Sequence, residues 1–288
     1  MSSDLMRAAY RKVRGLIRSI QDRIEAFLFY RLPHPGRAIR ITDASHAGIE
    51  KRGLFSIFIE ALDIITAHAE KEIEIDYRHT LYNRGPDQNM WTYYFDPVRN
   101  TTRRMFDLGF LPARAYRYRR IKEDQRLLNI LHASMEDHVH VRSEIREKAL
   151  SFYRENLPKA GVIGVHIRGT DHIRMYGNDV GIDRYFDKID RLLSTGYTHI
   201  FLATDDERFY QAFKKRYGDT VVTYSKIRSG GTTGLHFQTT APREAGEEVV
   251  MDWLLLGETQ YFLHGESNVA TAVLILNPNM LRENMAIC

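Results

Sequence analysis

The pattern of apolar and polar positions divides the chain into an N-terminal seam, an irregular first half and a regular second half. Met6, Tyr10, Val13, Ile17, Ile20, Ile24 and Phe27 recur at alternating steps of four and three, which predicts one amphipathic helix over residues 5 to 30. Pro33, Pro35 and Gly36 stop it. Ala38 to Thr42 then alternates as a short strand, and a loop with His46, Gly48 and Gly53 follows. A helix is expected next, with Leu54, Ile57, Phe58, Ala61, Leu62 and Ile65 on one face, and Glu72 to Tyr77 alternates again. Strand, Gly-containing loop, helix, strand is the order of a βαβ unit. Residues 78 to 120 read as loop, rich in aromatics from Trp91 to Phe95, and 121 to 156 as helical.

The second half alternates more cleanly. Strands are expected at 162–168, 199–204, 220–224 and 261–264, with helices around Tyr185 to Leu193 and over 206–217, 247–257 and 268–276. Repeated βα units predict a mostly parallel sheet with helices on both faces. The expected architecture is therefore α/β, with two Rossmann-like lobes. Its parts are a basic amphipathic helix (1–35), a first α/β lobe (36–157) and a second α/β lobe (158–288).

Composition narrows the class without naming it. The chain has 288 residues, 43% hydrophobic and 27% charged, as in ordinary globular proteins. The net charge of +4 is spread along the chain, which disfavours nucleic-acid binding. Cys288 is the one cysteine, so no disulfide framework is expected and a reducing compartment suits the chain. No run approaches the roughly 20 apolar residues of a membrane span, and charges interrupt every candidate signal-peptide core. The expected location is cytoplasmic. Arg7, Arg11, Lys12, Arg14, Arg18 and Arg23 around the N-terminal seam leave two readings open: a peripheral contact with anionic lipid, or a helix that docks on the body or pairs in a homodimer.

Ligands of an open parallel sheet bind beyond the carboxyl ends of its strands, so polar residues there carry the candidate chemistry. His166 and Arg168 are two apart and share a face. A guanidinium at that point can clamp a diphosphate and take up charge as it leaves, or it can brace a loop by pairing with Asp171. Thr204, Asp205 and Asp206 end the next strand, where a carboxylate can accept from ribose or base or cap the following helix. Gly234-Leu235-His236 follows a third strand. Ser267 and Asn268 open the last helix, where an N-terminus favours phosphate and a serine is also an ordinary cap. Trp91 is either a sugar-stacking platform or core. No Asp-x-Asp triplet or zinc spacing suggests a metal.

Taken in order, these segments resemble the fucosyltransferase superfamily of core α-1,6-, rhizobial nodulation-factor and, more distantly, protein O-fucosyltransferases. The likeness spans residues 160 to 278, with a fainter echo at 36 to 77. Gly164 to Asp171 looks like the first motif, and Phe201 to Asp206 like the second. Gly234 to His236, Asp252 and Ser267 follow the third region. The resemblance implies a GT-B-type, inverting, metal-independent glycosyltransferase that takes fucose from GDP-fucose to a glycan or lipid-linked glycan, with no cofactor. Arg168 would contact the diphosphate, Asp205 and Asp206 the nucleoside, His236 and Asp252 the guanine, and Ser267 the phosphate. The core enzymes carry a glutamate as candidate base where Tyr176 stands here. Asp171, His172, Asp179, His46 and Glu50 therefore remain candidates for the base, and a different donor sugar or a non-catalytic nucleotide- or glycan-binding module stays open.

Overall fold

The computed structural model describes residues 38–46, 48–69, 71–83, 85, 87–98, 121–169, 181–224, 228 and 241–285. The expected N-terminal helix lies outside them, as do Asp171, His172, Tyr176, Asp179 and His236.

Two parallel sheets organise the fold. Strands β1 (Ala38–Thr42) and β2 (Glu72–Asp76) pair in parallel through the crossover helix α1 (Leu54–Ala67), as the alternation predicts. The second sheet holds β3 (Val162–Ile167), β4 (His199–Thr204), β5 (Val221–Val222), β6 (Tyr261–His264) and β7 (Leu281–Asn284), in the spatial order β5-β4-β3-β6-β7. Every pairing is parallel. Its helices are α5 (Ile182–Ser194), α6 (Glu207–Tyr217), α7 (Pro242–Gly257) and α8 (Asn268–Leu276). Between the sheets run the short α2 (Trp91–Tyr94), α3 (Gln125–His138) and α4 (Ser143–Asn156).

Strand alternation sorts the second sheet into two faces. Ile163, Val165, Ile167, Ile200, Leu202 and Leu263 pack against Tyr185 and Ile189 of α5 and Phe213 of α6. Val162, Phe201, Ala203 and Phe262 face the opposite way and join a core shared with α1, α3, α7 and α8. This larger core crosses the expected boundary at 157/158 without a break, because α4 packs on α7 and α3 on α8.

Three expectations are corrected. Helix α1 does not bury one stripe; Leu54 through Thr66 are buried almost without interruption, Glu60 and Asp63 included, so it is a central helix. Helix α7 begins at Pro242, five residues early, because proline at the first helical positions has no amide to leave unpaired. Strand β7 was not foreseen. Leu281-Arg282-Glu283-Asn284 carries no apolar alternation, since it is an edge strand with Leu281 61% exposed.

Trp91 belongs to the core, not to an acceptor surface. It is 2% exposed and lies 4.5 Å from Phe95 and 6.2 Å from Phe58, ring centre to ring centre, with Trp253 packed on Phe58 from the second half. Nearby, α7 passes so close to the first half that a β-carbon on Gly246 would lie 2.5 Å from Tyr94 Cζ. Both tyrosines there are pinned, Tyr94 by donating to the Arg243 carbonyl at 2.9 Å and Tyr82 by accepting from the Leu54 amide at 3.1 Å. Gly246→Ala is therefore expected to cost about 1–3 kcal/mol of overpacking strain, read as a lowered midpoint in thermal unfolding.

Candidate functional site

The strand order reverses between β3 and β6: from β3 the chain moves outward to β4 and β5, then returns to the other side of β3. The crevice beyond the carboxyl ends at such a reversal is where α/β sheets bind ligands. His166 and His264 are register partners on these two strands, and both are buried on the α7/α8 face. Beyond them, Ser267 Oγ lies 3.3 Å from His166 Nδ1 and also accepts the Ala270 amide at 3.0 Å. Ser267 thus caps α8, and its contact with His166 ties that helix N-terminus to the tip of β3. Asn268 is the first residue of α8.

Arg168 is half-buried at the tip of β3. Its positive charge acts on the hydroxyl of Tyr82, where burial raises the pKa and the Leu54 amide and Arg168 both oppose the rise. Beside Arg168, the Gly169 amide donates to Asp205 at 2.9 Å. A β-carbon on Gly169 would sit 2.6 Å from Asp206 Cβ and 2.6 Å from Phe209, so the chain passes here only as glycine.

The two aspartates divide the roles that the sequence left open. Asp206 is fully buried and caps α6 through the Arg208 amide at 2.9 Å, with the Arg208 guanidinium bound at 3.0 and 2.5 Å. No surface remains on it for a nucleoside, which corrects its assignment to the donor. Asp205 is partly exposed and holds the backbone beside Arg168. Thr204 is buried and accepts the Asp206 amide at 3.3 Å. Asp252 is 8% exposed, within α7.

In the first half, His46 is also corrected. Its Nδ1 meets Glu60 at 2.6 Å and its Nε2 meets the Tyr77 hydroxyl at 2.6 Å, while Arg52 binds the same carboxylate at 2.6 and 2.7 Å. With both ring nitrogens engaged and 2% exposure, His46 has no free nitrogen for a substrate proton. Burial, then the Glu60 charge, push the Tyr77 hydroxyl well above its ordinary value. Glu50 lies exposed on the short helix Ile49–Lys51.

Sequence reasoning overlooked His264, Lys122 and Glu266. Lys122 is 8% exposed and pairs with Glu266, which also accepts Asn284 at 2.8 Å. Half-burial would raise the Glu266 carboxyl, but the Lys122 hydrogen bond and charge hold it below its ordinary value. Burial pushes His264 down to about 4, and the charges of Lys122 and Arg282 add to that, against the Gly265 carbonyl and Glu266. The signal for His264 was its strand-end position, matching His166.

No protein-family model matches the sequence, and no curated protein does. Solved structures do. NodZ α-1,6-fucosyltransferase soaked with GDP-fucose is 15% identical, covering 84% of this chain and 92% of that one, with a TM-score of 0.55. The chain shares the fold of NodZ. The NodZ crystal grown with GDP aligns at 14% identity over 83% of this chain and 91% of its own, TM-score 0.52. NodZ from Bradyrhizobium aligns at 16% over 84% and 92%, TM-score 0.54. The NodZ fold thus accounts for both sheets with so little shared sequence because alternation and packing, not side-chain identity, specify it.

Two outcomes follow from these contacts. Gly169→Ala should lower the thermal midpoint by the equivalent of about 1–3 kcal/mol, whereas Gly181→Ala, with no atom nearer than 3.9 Å to the new carbon, should not. His264, held down near 4, is neutral in the fold where an unfolded histidine, near 6.5, takes up a proton. Its contribution is complete above about pH 6.5 and lost as pH falls toward 4. Comparing denaturant unfolding at pH 7 and pH 4, His264→Phe should remove roughly 3 kcal/mol of the acid loss.

Proposed function

We propose that the protein is a glycosyltransferase that uses GDP-fucose, inverting at the anomeric carbon, without a metal, in a GT-B-type arrangement. The observation that carries this reading is the His166–Ser267 contact, which ties the α8 N-terminus to the end of β3, two residues before Arg168. A guanidinium and a helix N-terminus together neutralise a diphosphate, and a leaving nucleoside diphosphate requires that most at the moment of departure. The NodZ structures with GDP-fucose and GDP support the choice of donor.

In this reading, Arg168 takes up the charge on the departing β-phosphate, with Gly169 and Asp205 holding its backbone in place. Ser267 and the first amides of α8 bind phosphate oxygens. Asp252 and His236 read the base. The acceptor, a glycan or lipid-linked glycan hydroxyl, enters from the first half. Among the described residues, no helix is long and apolar enough to cross a membrane. The proposed location is cytoplasmic, with the basic segment 1–35 contacting an inner membrane face or pairing in a homodimer.

Thermal unfolding with GDP, UDP, dTDP and ADP in EDTA tests donor and metal together. GDP at 100 times its dissociation constant should add about 2.7 kcal/mol of stability. Arg168→Ala should weaken GDP by roughly 10- to 100-fold, the loss of a charged hydrogen-bond donor, and abolish turnover of GDP-fucose. Stabilisation by UDP and not GDP would remove the fucose assignment. GDP binding with no turnover would favour a non-catalytic nucleotide-binding module.

A further inference from the structure

The carboxyl ends of β1 and β2 carry a second polar constellation. Asp43 opens the short helix Asp43–Ser45 after β1, and His79 follows β2. His79 Nδ1 lies 2.8 Å from Asp43 Oδ2, with the imidazole side chain 68% exposed and the carboxylate 24%. The Arg78 amide donates to both Asp43 oxygens at 3.1 and 3.2 Å, so the carboxylate is oriented before the histidine reaches it. A carboxylate on one ring nitrogen sets the tautomer and turns the other nitrogen outward. Here that nitrogen is Nε2, on the exposed side of the ring.

Among the described residues, the neighbouring charges pair elsewhere. The Arg78 guanidinium turns away to Asp76 at 2.8 and 3.1 Å. Arg40 reaches Asp76 at 3.0 Å and Glu74 at 3.3 Å. On the other side, His46, Glu60 and Arg52 form their own buried network.

Chain geometry brings the pair toward the second sheet. His79 is three residues from Tyr82, which packs against Gly246 of α7, a helix that lies on β3 and β4, and three residues span at most about 11 Å. The turn between them is folded, not extended. Asn83 accepts from the Thr80 amide at 2.8 Å and the Thr80 hydroxyl at 2.7 Å, and donates to the Tyr77 carbonyl at 3.1 Å. Asp43 and His79 thus follow the carboxyl ends of β1 and β2, as Arg168 follows that of β3.

We propose that His79, positioned by Asp43, is the general base of the transfer; this rests on the function proposed above. As the attacking hydroxyl oxygen bonds to the anomeric carbon, its proton passes to His79 Nε2. The bond from that carbon to the β-phosphate oxygen breaks, and its electron pair leaves with GDP toward Arg168. His79 is then a catalytic residue outside the set that the sequence suggested, and Asp43 is a positioning residue.

The test is release of GDP from GDP-fucose with water as the attacking hydroxyl, from pH 5 to 9, beside GDP binding by thermal shift. The wild-type kcat should rise with pH within this range, as a general base requires. His79→Gln should lower kcat about 100-fold, within the range of general-base effects, and lose that rise, with KM and the GDP-induced shift unchanged. Asp43→Asn should lower kcat in the same direction, and added imidazole should restore rate to His79→Ala. His199→Gln, a histidine at the opposite end of the sheet, should match the wild type. Equal rates and the same pH profile in His79→Gln would overturn the proposal, and so would a wild type that binds GDP yet releases none from GDP-fucose. A wild type whose unfolding GDP does not shift would instead overturn the donor assignment beneath it.

Discussion

Burial of α1 on every side is the constraint from which the arrangement follows. A 14-residue helix with Leu54 through Thr66 buried cannot end a domain, because its apolar surface must be covered all round. The first half supplies part of that cover through α3 and the aromatic group of Trp91 and Phe95. The second half supplies the rest through Trp253 of α7 and through α8. The two sheets are joined by apolar packing around α1.

That packing explains how a polar crevice survives beside so large a core. Glu60 and His46 lie within the buried side of the first half, but each is matched: Arg52 and His46 share the Glu60 carboxylate, and Tyr77 completes the ring. Buried charges persist where partners offset their desolvation. The same holds at the second sheet, where Lys122 and Glu266 pair beside His264. These networks match Glu60, His46, Lys122 and Glu266 with partners of their own. Arg168, Asp205, Ser267 and His79 each keep an outward side.

Much of the second half was legible in the sequence because its signals are local. Apolar runs bounded by turns give β3, β4 and β6, and Asp206 and Ser267 mark helix starts by their capping chemistry. Even there, a cap and a ligand contact use the same side-chain oxygen, so sequence could not divide Asp205 from Asp206. Burial did, by leaving Asp206 no surface. Trp91 and His46 misled for the same reason: an aromatic beside tyrosines and a histidine in a glycine loop look alike whether they face a ligand or a core.

The sequence by itself determined the order of strands and helices, the glycine at 169 and the arginine that follows a buried strand, because periodicity and capping act within a few residues. Only the tertiary structure decided which strands are neighbours, that the reversal falls between β3 and β6, and that Asp43 meets His79 across 36 positions. Those facts depend on long-range closure of the chain around α1, and no local pattern carries that information.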